Sequence, residues 1–313
     1  MMQIGAFGHG FPFTVFAANG INLRDITLAP SVPCPAVAAF IEPFMDPFAA
    51  SFLMRLGAGA LNGFGAIVLL RESPGAVHAF HYGCELARKG LLPNDAPKLL
   101  LSNHLPAIGA PQDRFNDAEM RRIKSALSLA DMPPISAGLE PLERLQTAQE
   151  LGLLSGADAF DLRKALFENP KGFSSGQVEK HLRPAAKIGL RYALLGGPLG
   201  NSALHEMIES IGVLALDQQA LDQLAAQRDF ATNPFAARQG QNSFVEAIKA
   251  ALIEAQIDRI IWQVEPHDDL WGWLAPDIGK AAKAVHCAVL DFGPIPRWPD
   301  ARDLAPLKKE LAP

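Results

Sequence analysis

Cysteine is scarce in this sequence, with only Cys34, Cys84 and Cys287 among 313 residues. Three thiols are too few for a disulfide framework, and an odd number favours reduced thiols in the cytosol. Free cysteines mostly pack as small apolar side chains, so we expect structural roles for all three. An iron–sulfur cluster needs thiolates that converge from loops. Cys84 lies in a predicted helix and Cys287 in a predicted strand, so no such cluster and no other cofactor is predicted.

Long apolar runs and an excess of basic residues are also missing. No stretch approaches the ~18 apolar residues of a membrane span. The segment Met1–Gly5 is not a basic region followed by an apolar run, so no signal peptide is expected. The net charge of −5 and pI near 5.9 argue against nucleic-acid binding. The composition, 49% hydrophobic and 19% charged, is that of a globular protein. We therefore expect a cytoplasmic protein with no membrane or nucleic-acid partner.

Two parts of the chain alternate extended and helical patterns. In the first part the extended segments lie near Ile21–Leu28, Phe64–Leu70 and Lys98–Ser102, with helices near Ala36–Leu61 and Gly75–Lys89. In the second part the strands are Ile188–Leu195, Val213–Leu216, Arg259–Val264 and Val285–Asp291, and the helices are Ala203–Ser210, Gln218–Arg228, Ser243–Ala255 and Leu270–Lys283. Strands that alternate with helices of this length indicate parallel sheets.

The stretch between these parts, from about Asp113 to Lys187, has only helical patterns. The sequence therefore predicts an α/β protein with two doubly wound, flavodoxin-like or Rossmann-like parallel-sheet domains joined by a helical connector. The predicted boundaries are residues 1–112 for the N-terminal domain, 113–187 for the connector and 188–313 for the C-terminal domain. Ligands of such sheets bind at the carboxyl ends of the strands.

A glycine-rich turn follows the first strand of the second part. Gly196, Gly197, Gly200 and Asn201 lie between a strand and a helix, where free N–H groups can hold an anion. The turn is neither a Walker loop nor a good dinucleotide fingerprint, because the lysine–serine pair is absent and Pro198 removes a donor. A tight strand-to-helix turn without a ligand is the alternative interpretation.

The densest cluster of titratable residues follows the predicted strand Arg259–Val264. Glu265, His267 and Asp268 are candidates for general acid–base chemistry, and a complete metal site would need ligands from elsewhere. The alternative is a polar turn in which Asp268 or Asp269 caps the next helix.

The corresponding strand end in the first part carries Arg71 and Ser73. Arg71 is predicted to hold a carboxylate or phosphate of the ligand. Ser73 is a second candidate ligand contact, although Ser73 followed by Pro74 is also typical of a helix start. His9, between two glycines near the N-terminus, is a further candidate, since glycines let a ligand approach closely.

The order of several segments resembles that of the 2-hydroxyacyl-CoA dehydratase and benzoyl-CoA reductase family, in particular its D-component type of subunit. The likeness covers most of the chain. It rests on Phe11–Gly20, Tyr82–Leu91, Lys187–Asp217 and Ile257–Ile261. The resemblance implies two α/β domains with a ligand cleft between them, a CoA thioester as substrate, and pairs of related subunits.

Members of that family hold a [4Fe–4S] cluster on cysteines at loop tips, and this chain departs from them there. It has Glu72 and Ser73 where the first domain of the family has a cysteine. It has Pro266 and His267 where the family has a second cysteine, after the later strand. We therefore expect the fold and the cleft without the cluster.

These observations predict a cluster-free relative of the dehydratase subunits that binds an acyl-CoA or another anionic small molecule. It would be an accessory subunit or a non-redox enzyme, and any catalytic activity would be that of a dehydratase-like lyase on a CoA thioester. A non-catalytic structural subunit of a homodimer or heterodimer, with Ala36–Leu61 as its apolar face, is the first alternative. An iron–sulfur subunit with atypical ligands is the second.

Overall fold

The computed structural model describes residues 3–8, 21–103, 110–129, 139–170, 172–184, 189–228, 241–264 and 269–311. The chain forms two compact units. Each contains one four-stranded parallel sheet flanked by helices, which confirms the predicted α/β class with two parallel-sheet domains. Within the described residues, no helix is long and apolar enough to cross a membrane.

The first unit comprises Met1–Gly138, Leu166–Gly172 and Ala225–Ala236. Its strands are β1 (Gln3–Phe7), β2 (Asn22–Asp25), β3 (Ala66–Leu70) and β4 (Lys98–Ser102), in the order β2-β1-β3-β4. Its helices include α1 (Pro35–Ala38), α2 (Pro47–Gly57), α3 (Pro74–Arg88) and α4 (Ala110–Ala126). All five residues of β3 are buried, as expected for an apolar strand in the middle of a parallel sheet. The sequence analysis did not identify β1.

The second unit comprises Leu139–Ala165, Phe173–Leu224 and Ala237–Pro313. Its strands are β5 (Arg191–Gly196), β6 (Val213–Asp217), β7 (Arg259–Gln263) and β8 (Ala288–Asp291), in the order β6-β5-β7-β8. The remaining helices are α5 (Leu139–Glu150), α6 (Gly156–Glu168), α7 (Ser175–Glu179), α8 (Ala203–Glu209), α9 (Gln218–Arg228), α10 (Gln241–Glu254), α11 (Asp269–Ala284) and α12 (Ala305–Leu311). The last residues of α6 and α9 belong to the first unit. The predicted connector helices are thus shared: α4 lies in the first unit and α5 in the second.

The predicted helix Ala36–Leu61 is two helices, α1 and α2, with a non-helical stretch from Ala39 to Asp46 between them. Asp46 begins α2 by accepting a hydrogen bond from the N–H of Ala49 at 3.0 Å, with Pro47 as the first helical residue. The apolar face of α2 lies in the core of its own unit, where Phe52 is fully buried. This face is therefore not the free dimer surface that the sequence analysis had expected.

The cysteines differ partly from expectation. Cys34 and Cys287 are buried, whereas Cys84 is exposed on α3. The prediction of a buried structural role is therefore wrong for Cys84. Cys287 lies just before β8 rather than inside a strand.

The two units repeat the same strand order, 2-1-3-4, counted from the first strand of each. The register repeats at the carboxyl ends of the strands, beyond a shift between Tyr192 and Ala193 that the first unit lacks: Ala6 of β1 lies opposite Asp25 of β2, and Leu194 of β5 lies opposite Asp217 of β6. Two residues after Ala6 comes Gly8, and two residues after Leu194 comes Gly196. Both glycines have positive φ angles, +135° for Gly8 and +131° for Gly196. The two sheets are therefore structural equivalents down to single positions at their carboxyl ends.

This register defines further pairs of equivalent residues. Because Asp25 matches Asp217, Ile26 matches Gln218 and Thr27 matches Gln219. Gly196 lies opposite Gln263, and Phe7 lies opposite Leu69, so Leu70 of the first unit matches Gln263 of the second. Both units form the same aspartate turn after the strand. Asp25 accepts the N–H of Thr27 at 2.7 Å, and Asp217 accepts the N–H of Gln219 at 3.0 Å.

Candidate functional site

In the first unit, the strand order reverses between β1 and β3, and ligands of doubly wound sheets bind outside the carboxyl ends of the strands at such a switch point. Gly8 follows β1 there. A Cβ atom on Gly8 would lie 2.8 Å from Cβ of Leu70 and 3.2 Å from Oε1 of Glu72. The carboxylate of Glu72 therefore lies directly against the glycine, and a larger residue at position 8 would displace it. Glu72 itself is half-buried.

Arg71 is the cation at this switch point. Its backbone N–H donates to the carbonyl of Ser102 at 3.0 Å, which ties the end of β3 to the end of β4. Its side chain is exposed and makes no ion pair within the described part of the chain. An arginine in this state can receive a carboxylate or phosphate in a bidentate arrangement without first breaking an internal pair.

Ser73 caps helix α3. Its backbone is extended, with φ −146° and ψ 157°, and its Oγ accepts the N–H of Ala76 at 3.2 Å, while Pro74 is the first helical residue. The helix-start interpretation of Ser73 is thus confirmed. Oγ of Ser73 is already used as an acceptor within the protein, which limits its part in ligand binding.

The N-terminus of α3 already has a carboxylate beside it. A Cβ atom on Gly75, in the first turn, would lie 3.0 Å from Oδ1 of Asp46. A negative charge at this place interacts favourably with the helix dipole. The positive end of α3 is thus compensated by the protein itself, and among the described residues Arg71 is the group suited to an anion at this edge.

Behind the switch point, a short hydrogen-bonded chain connects Gly8 to a buried acid. The N–H of Gly8 donates to Oγ1 of Thr27 at 2.9 Å, and the N–H of Thr27 donates to Asp25. Burial of the Asp25 carboxyl group raises its pKa to about 6, against the opposing effect of the bonds from Thr27. Arg55 on α2 donates to the carbonyl of Ile26 at 2.7 Å, and burial lowers the pKa of Arg55 to about 10.

The glycine turn of the second unit begins at its own switch point, between β5 and β7. A Cβ atom on Gly196 would lie 1.6 Å from the carbonyl oxygen of Gln263, so only glycine fits. The N–H of Gly197 donates to that same carbonyl at 2.9 Å. The positive φ and the close approach to β7 account for this glycine without any ligand.

Two further backbone N–H groups of the turn and the side chain of Asn201 are also engaged. The N–H of Leu199 donates to Oε1 of Gln219 at 3.1 Å, and that of Gly200 donates to the carbonyl of Arg297 at 2.6 Å. Asn201 donates to the carbonyl of Pro299 at 3.1 Å. The backbone N–H groups of Gly197, Leu199 and Gly200 are therefore not available to an anion, contrary to the predicted role of Gly197 and Gly200. The roles of Gly196 and Asn201 stay predictions.

A segment near the C-terminus lies on this turn. A Cβ atom on Gly197 would lie 2.1 Å from the guanidinium of Arg297, and one on Gly200 would lie 2.1 Å from the indole nitrogen of Trp298. Arg297 also donates to the carbonyl of Pro198 at 2.9 Å. The glycines leave room for these two large side chains, which is the physical reason for the glycine-rich sequence.

A buried charged network lies at the end of β6. Arg163 of α6 donates to Oδ2 of Asp217 at 2.6 Å, and Nε2 of His205 on α8 lies 3.2 Å from the same oxygen. Burial raises the pKa of Asp217, but Arg163 and His205 outweigh it and hold that pKa below its usual value. Arg163 also donates to Oε1 of Gln149 at 3.0 Å. The network ties α5, α6 and α8 to the sheet, which is a structural role.

Four of the predicted site residues lie outside the described residues: His9, Glu265, His267 and Asp268. Their proposed roles stay predictions. In the part of the chain that the structure describes, no group of three or more histidine, cysteine, aspartate or glutamate side chains is placed to hold a metal ion.

Sequence reasoning missed three residues that the structure brings to these edges. Glu72 follows Arg71 in the sequence and was not assigned a role. A carboxylate directly after a buried strand does indicate a candidate site residue, because ligands bind at the carboxyl ends of such strands. Gln263 was read only as the end of a strand. Arg297 had no local signal, because its contact with the glycine turn joins residues about a hundred positions apart.

Comparison with known proteins adds no family assignment. No protein-family model matches this chain, and no curated protein sequence matches it significantly. The resemblance carried by segments such as Tyr82–Leu91 therefore remains a prediction from the residues themselves.

Proposed function

We propose that the protein binds an anionic small molecule, an acyl-CoA thioester or a compound of similar charge, at the carboxyl edge of its first sheet. In this proposal the protein is a cluster-free relative of the 2-hydroxyacyl-CoA dehydratase subunits. It acts as an accessory subunit or as an enzyme without redox chemistry.

The observation that carries the proposal is the state of Arg71. It lies at the switch point between β1 and β3, its side chain is exposed, and no ion pair within the described residues engages it. Phosphate and carboxylate groups are the ligands that suit a planar guanidinium. The carboxylate of Asp46 at the nearby N-terminus of α3 makes that helix end a poor competing site.

Proton transfer in this proposal has two candidate sources. Glu72 lies next to Arg71 and against Gly8, so a ligand held by Arg71 would be within reach of a carboxylate. Glu265, His267 and Asp268 follow β7 in the sequence and keep their predicted role as acid–base residues of the second unit. Any activity of this kind would be a lyase reaction on the bound thioester.

The test compares two ligands and two variants by isothermal titration calorimetry. Acetyl-CoA carries phosphates, whereas S-acetylpantetheine is the same thioester without them. We expect Arg71→Ala to weaken acetyl-CoA binding about tenfold, equivalent to about 1.4 kcal/mol, and to leave the weaker binding of S-acetylpantetheine unchanged. Raising the salt concentration should reduce the difference between the ligands, because exposed charges are screened.

Arg121→Ala is the matched control, because Arg121 is also exposed, lies in the first unit, and sits well along α4 from the strand ends. It should bind acetyl-CoA like the wild type. Equal affinity of the wild type and Arg71→Ala for acetyl-CoA, or no binding of acetyl-CoA at all, would remove the proposal.

A further inference from the structure

Two neighbouring helices of the second unit leave large apolar side chains in solvent. Among the described residues, Trp273 of α11 has the most exposed large apolar side chain, at 79%, whereas Trp271, two residues earlier, is buried. Ile253 of α10 is 59% exposed. Single exposed apolar residues are common on monomers. What distinguishes these two is the arrangement of the face on which they lie.

Helices α10 and α11 lie side by side and point in the same direction. Both bury one side in the same apolar core, with Phe244 and Ile248 from α10 and Leu274 and Ile278 from α11. Because α10 leads into β7 and α11 connects β7 to the parallel strand β8, both helices begin at the carboxyl edge of the sheet and end at the other. The rings of Phe244 and Trp271 are 5.8 Å apart, so position 244 lies beside position 271.

This register places four exposed side chains at the corners of one face. By the same offset, Trp273 lies beside Glu246 near the carboxyl edge of the sheet, and Ile253 lies beside Lys280 at the opposite end. The two apolar side chains therefore occupy one diagonal and the two charged side chains the other. The outward positions between the corners carry short side chains, namely Ala247, Ala250, Pro276 and Gly279.

A twofold axis through the centre of this face makes it self-complementary. Such an axis sets α11 of each copy across α10 of the other, in opposite directions, and exchanges the corners along each diagonal. Trp273 of one copy then covers Ile253 of the other, and Lys280 of one copy meets Glu246 of the other. The short side chains between them face each other, which lets the helices approach. A single axis thus gives both apolar contacts and both charged contacts.

The charged corners can change partners at little cost. The side chain of Lys280 is 78% exposed and contacts Asp277 at 2.8 Å, and that of Glu246 is 72% exposed and contacts Lys249 at 3.8 Å. Solvated pairs within one helix contribute little stability. A second copy that presents Glu246 to Lys280 can therefore replace these contacts, and the complementary charges favour a copy of the same chain over an unrelated apolar surface.

Gly279 is consistent with a close approach at this face. A Cβ atom on Gly279 would meet nothing within 4 Å, its own helix backbone aside, so packing within the unit does not require glycine there. Glycine and proline both weaken the interior of a helix, and Pro276 lies in the same helix. A glycine at the surface instead lets another molecule come near the helix backbone.

We propose that the face formed by α10 and α11 is the interface of a symmetric dimer of this chain. Two helices about 24 Å long and about 10 Å apart offer about 500 Å² per copy. The pair would bury about 1,000 Å², which is at the lower limit for a specific interface, so we expect a dissociation constant in the micromolar range. This interface goes beyond the function proposed above, because it uses other residues in the other unit and needs no ligand.

Sedimentation equilibrium of the full chain, from about 1 µM to about 500 µM, measures the dissociation constant of the dimer. We expect Trp273→Glu to raise it about tenfold or more, because a tryptophan at the centre of a contact contributes strongly to binding. Leu151→Glu is the matched control, since Leu151 is 60% exposed in the same unit but lies at the end of α5. It should dimerise like the wild type.

Gly279→Gln keeps the test valid if the tryptophan variant does not fold. Glutamine favours a helix more than glycine does and meets no neighbour within the unit. We therefore expect a folded monomer, with an unfolding temperature no lower than that of the wild type, that dimerises about tenfold more weakly or worse because the side chain separates the helices.

Charge reversal tests the axis itself. Glu246→Lys and Lys280→Glu should each weaken self-association, because each places like charges across the interface. An equimolar mixture of the two variants should form a mixed dimer as stable as that of the wild type, since both charged contacts are then restored. Arg71→Ala should dimerise normally, so the result does not depend on the anion site.

Three results would overturn the proposal. The first is a wild-type protein that stays monomeric up to about 500 µM, whatever else covers the face. The second is a dimer that Trp273→Glu and Gly279→Gln leave unchanged, because the contact would then lie elsewhere. The third is a mixture of the two charge variants that associates no better than either variant alone.

Discussion

At the scale of single residues, Asp25 shows how burial changes the protonation of a carboxyl group. Its carboxyl group is buried, and its pKa is raised from the ordinary 3.8 to about 6. Glu168 adds to this increase, whereas Thr27 and Arg55 oppose it. The folded protein therefore holds the proton of Asp25 more tightly than the unfolded chain does. The stability that this group contributes is fully present below pH 3.8 and is lost as the pH rises through about 6.

Replacing Asp25 by asparagine should remove this pH dependence. The shift of about two units corresponds to about 3 kcal/mol at ~1.4 kcal/mol per unit. We expect the unfolding free energy of Asp25→Asn, relative to the wild type, to increase by up to that amount between pH 4 and pH 7. The asparagine side chain can still accept the N–H of Thr27, so the turn is kept. Urea unfolding at each pH measures the difference.

Asp95→Asn is the control for this series, because Asp95 is an exposed aspartate of the same unit. It measures what the change from aspartate to asparagine does at an exposed position over the same range. A constant stability difference for Asp25→Asn would show that the carboxyl group of Asp25 titrates normally in the folded protein.

At the scale of helices and strands, the network at the end of β6 shows how a buried charge fixes several elements. The side chains of Arg163 and Asp217 are only 3% and 2% exposed. Removing one partner leaves the other charge buried, which typically costs about 3–5 kcal/mol. We expect Arg163→Ala to lose stability of that order, measured by urea unfolding. His205 and the N–H of Gln219, which also contact Asp217, would compensate only in part.

An exposed pair in the same unit provides the comparison. Arg183 contacts Glu209 at 2.6 Å, as short as the buried contact, but 41% of the Arg183 side chain is exposed. Solvated pairs of this kind contribute about 0–1 kcal/mol. Arg183→Ala should therefore cost far less than Arg163→Ala. Similar losses for the two variants would mean that burial does not govern the strength of these pairs.

The same scale shows how far the sequence predicts the elements. Strands such as Phe64–Leu70 and helices such as Gly75–Lys89 were predicted within a few residues, because their apolar periodicity and caps are local signals. The break between α1 and α2 was missed, since the apolar composition continues through it. β1 was also missed, because Gln3–Phe7 is short and follows the very start of the chain.

The candidate sites were less predictable than the elements. The cap at Ser73 was correct because capping depends on neighbouring residues. The prediction that Gly197 and Gly200 bind an anion was not correct. Arg297 and Trp298 fill the space beside these glycines, and they come from a distant part of the chain. The equivalence of Gly8 and Gly196 is likewise a property of register and backbone angle, not of local sequence.

At the scale of the whole molecule, we expect that the second unit does not fold as a fragment cut at the predicted boundary, residue 188. A fragment of residues 188–313 contains its four strands but lacks α5, α6 and α7. It would lose the partner of Asp217 on α6. It would also lose the carbonyl of Glu150, which accepts a hydrogen bond from Arg191 at 2.8 Å, and Gln149, which donates to the carbonyl of Leu214 at 3.2 Å.

A fragment of residues 139–313 keeps all of these contacts, since the second unit begins at Leu139. We expect this longer fragment to unfold cooperatively in urea and to give a dispersed amide spectrum. The fragment of residues 188–313 should do neither, because Asp217 would be buried without Arg163, and the Arg191 guanidinium and the Leu214 carbonyl would lose their partners. Cooperative unfolding of the shorter fragment, at the same midpoint urea concentration as the longer one, would show instead that the sheet is stable without α5 and α6.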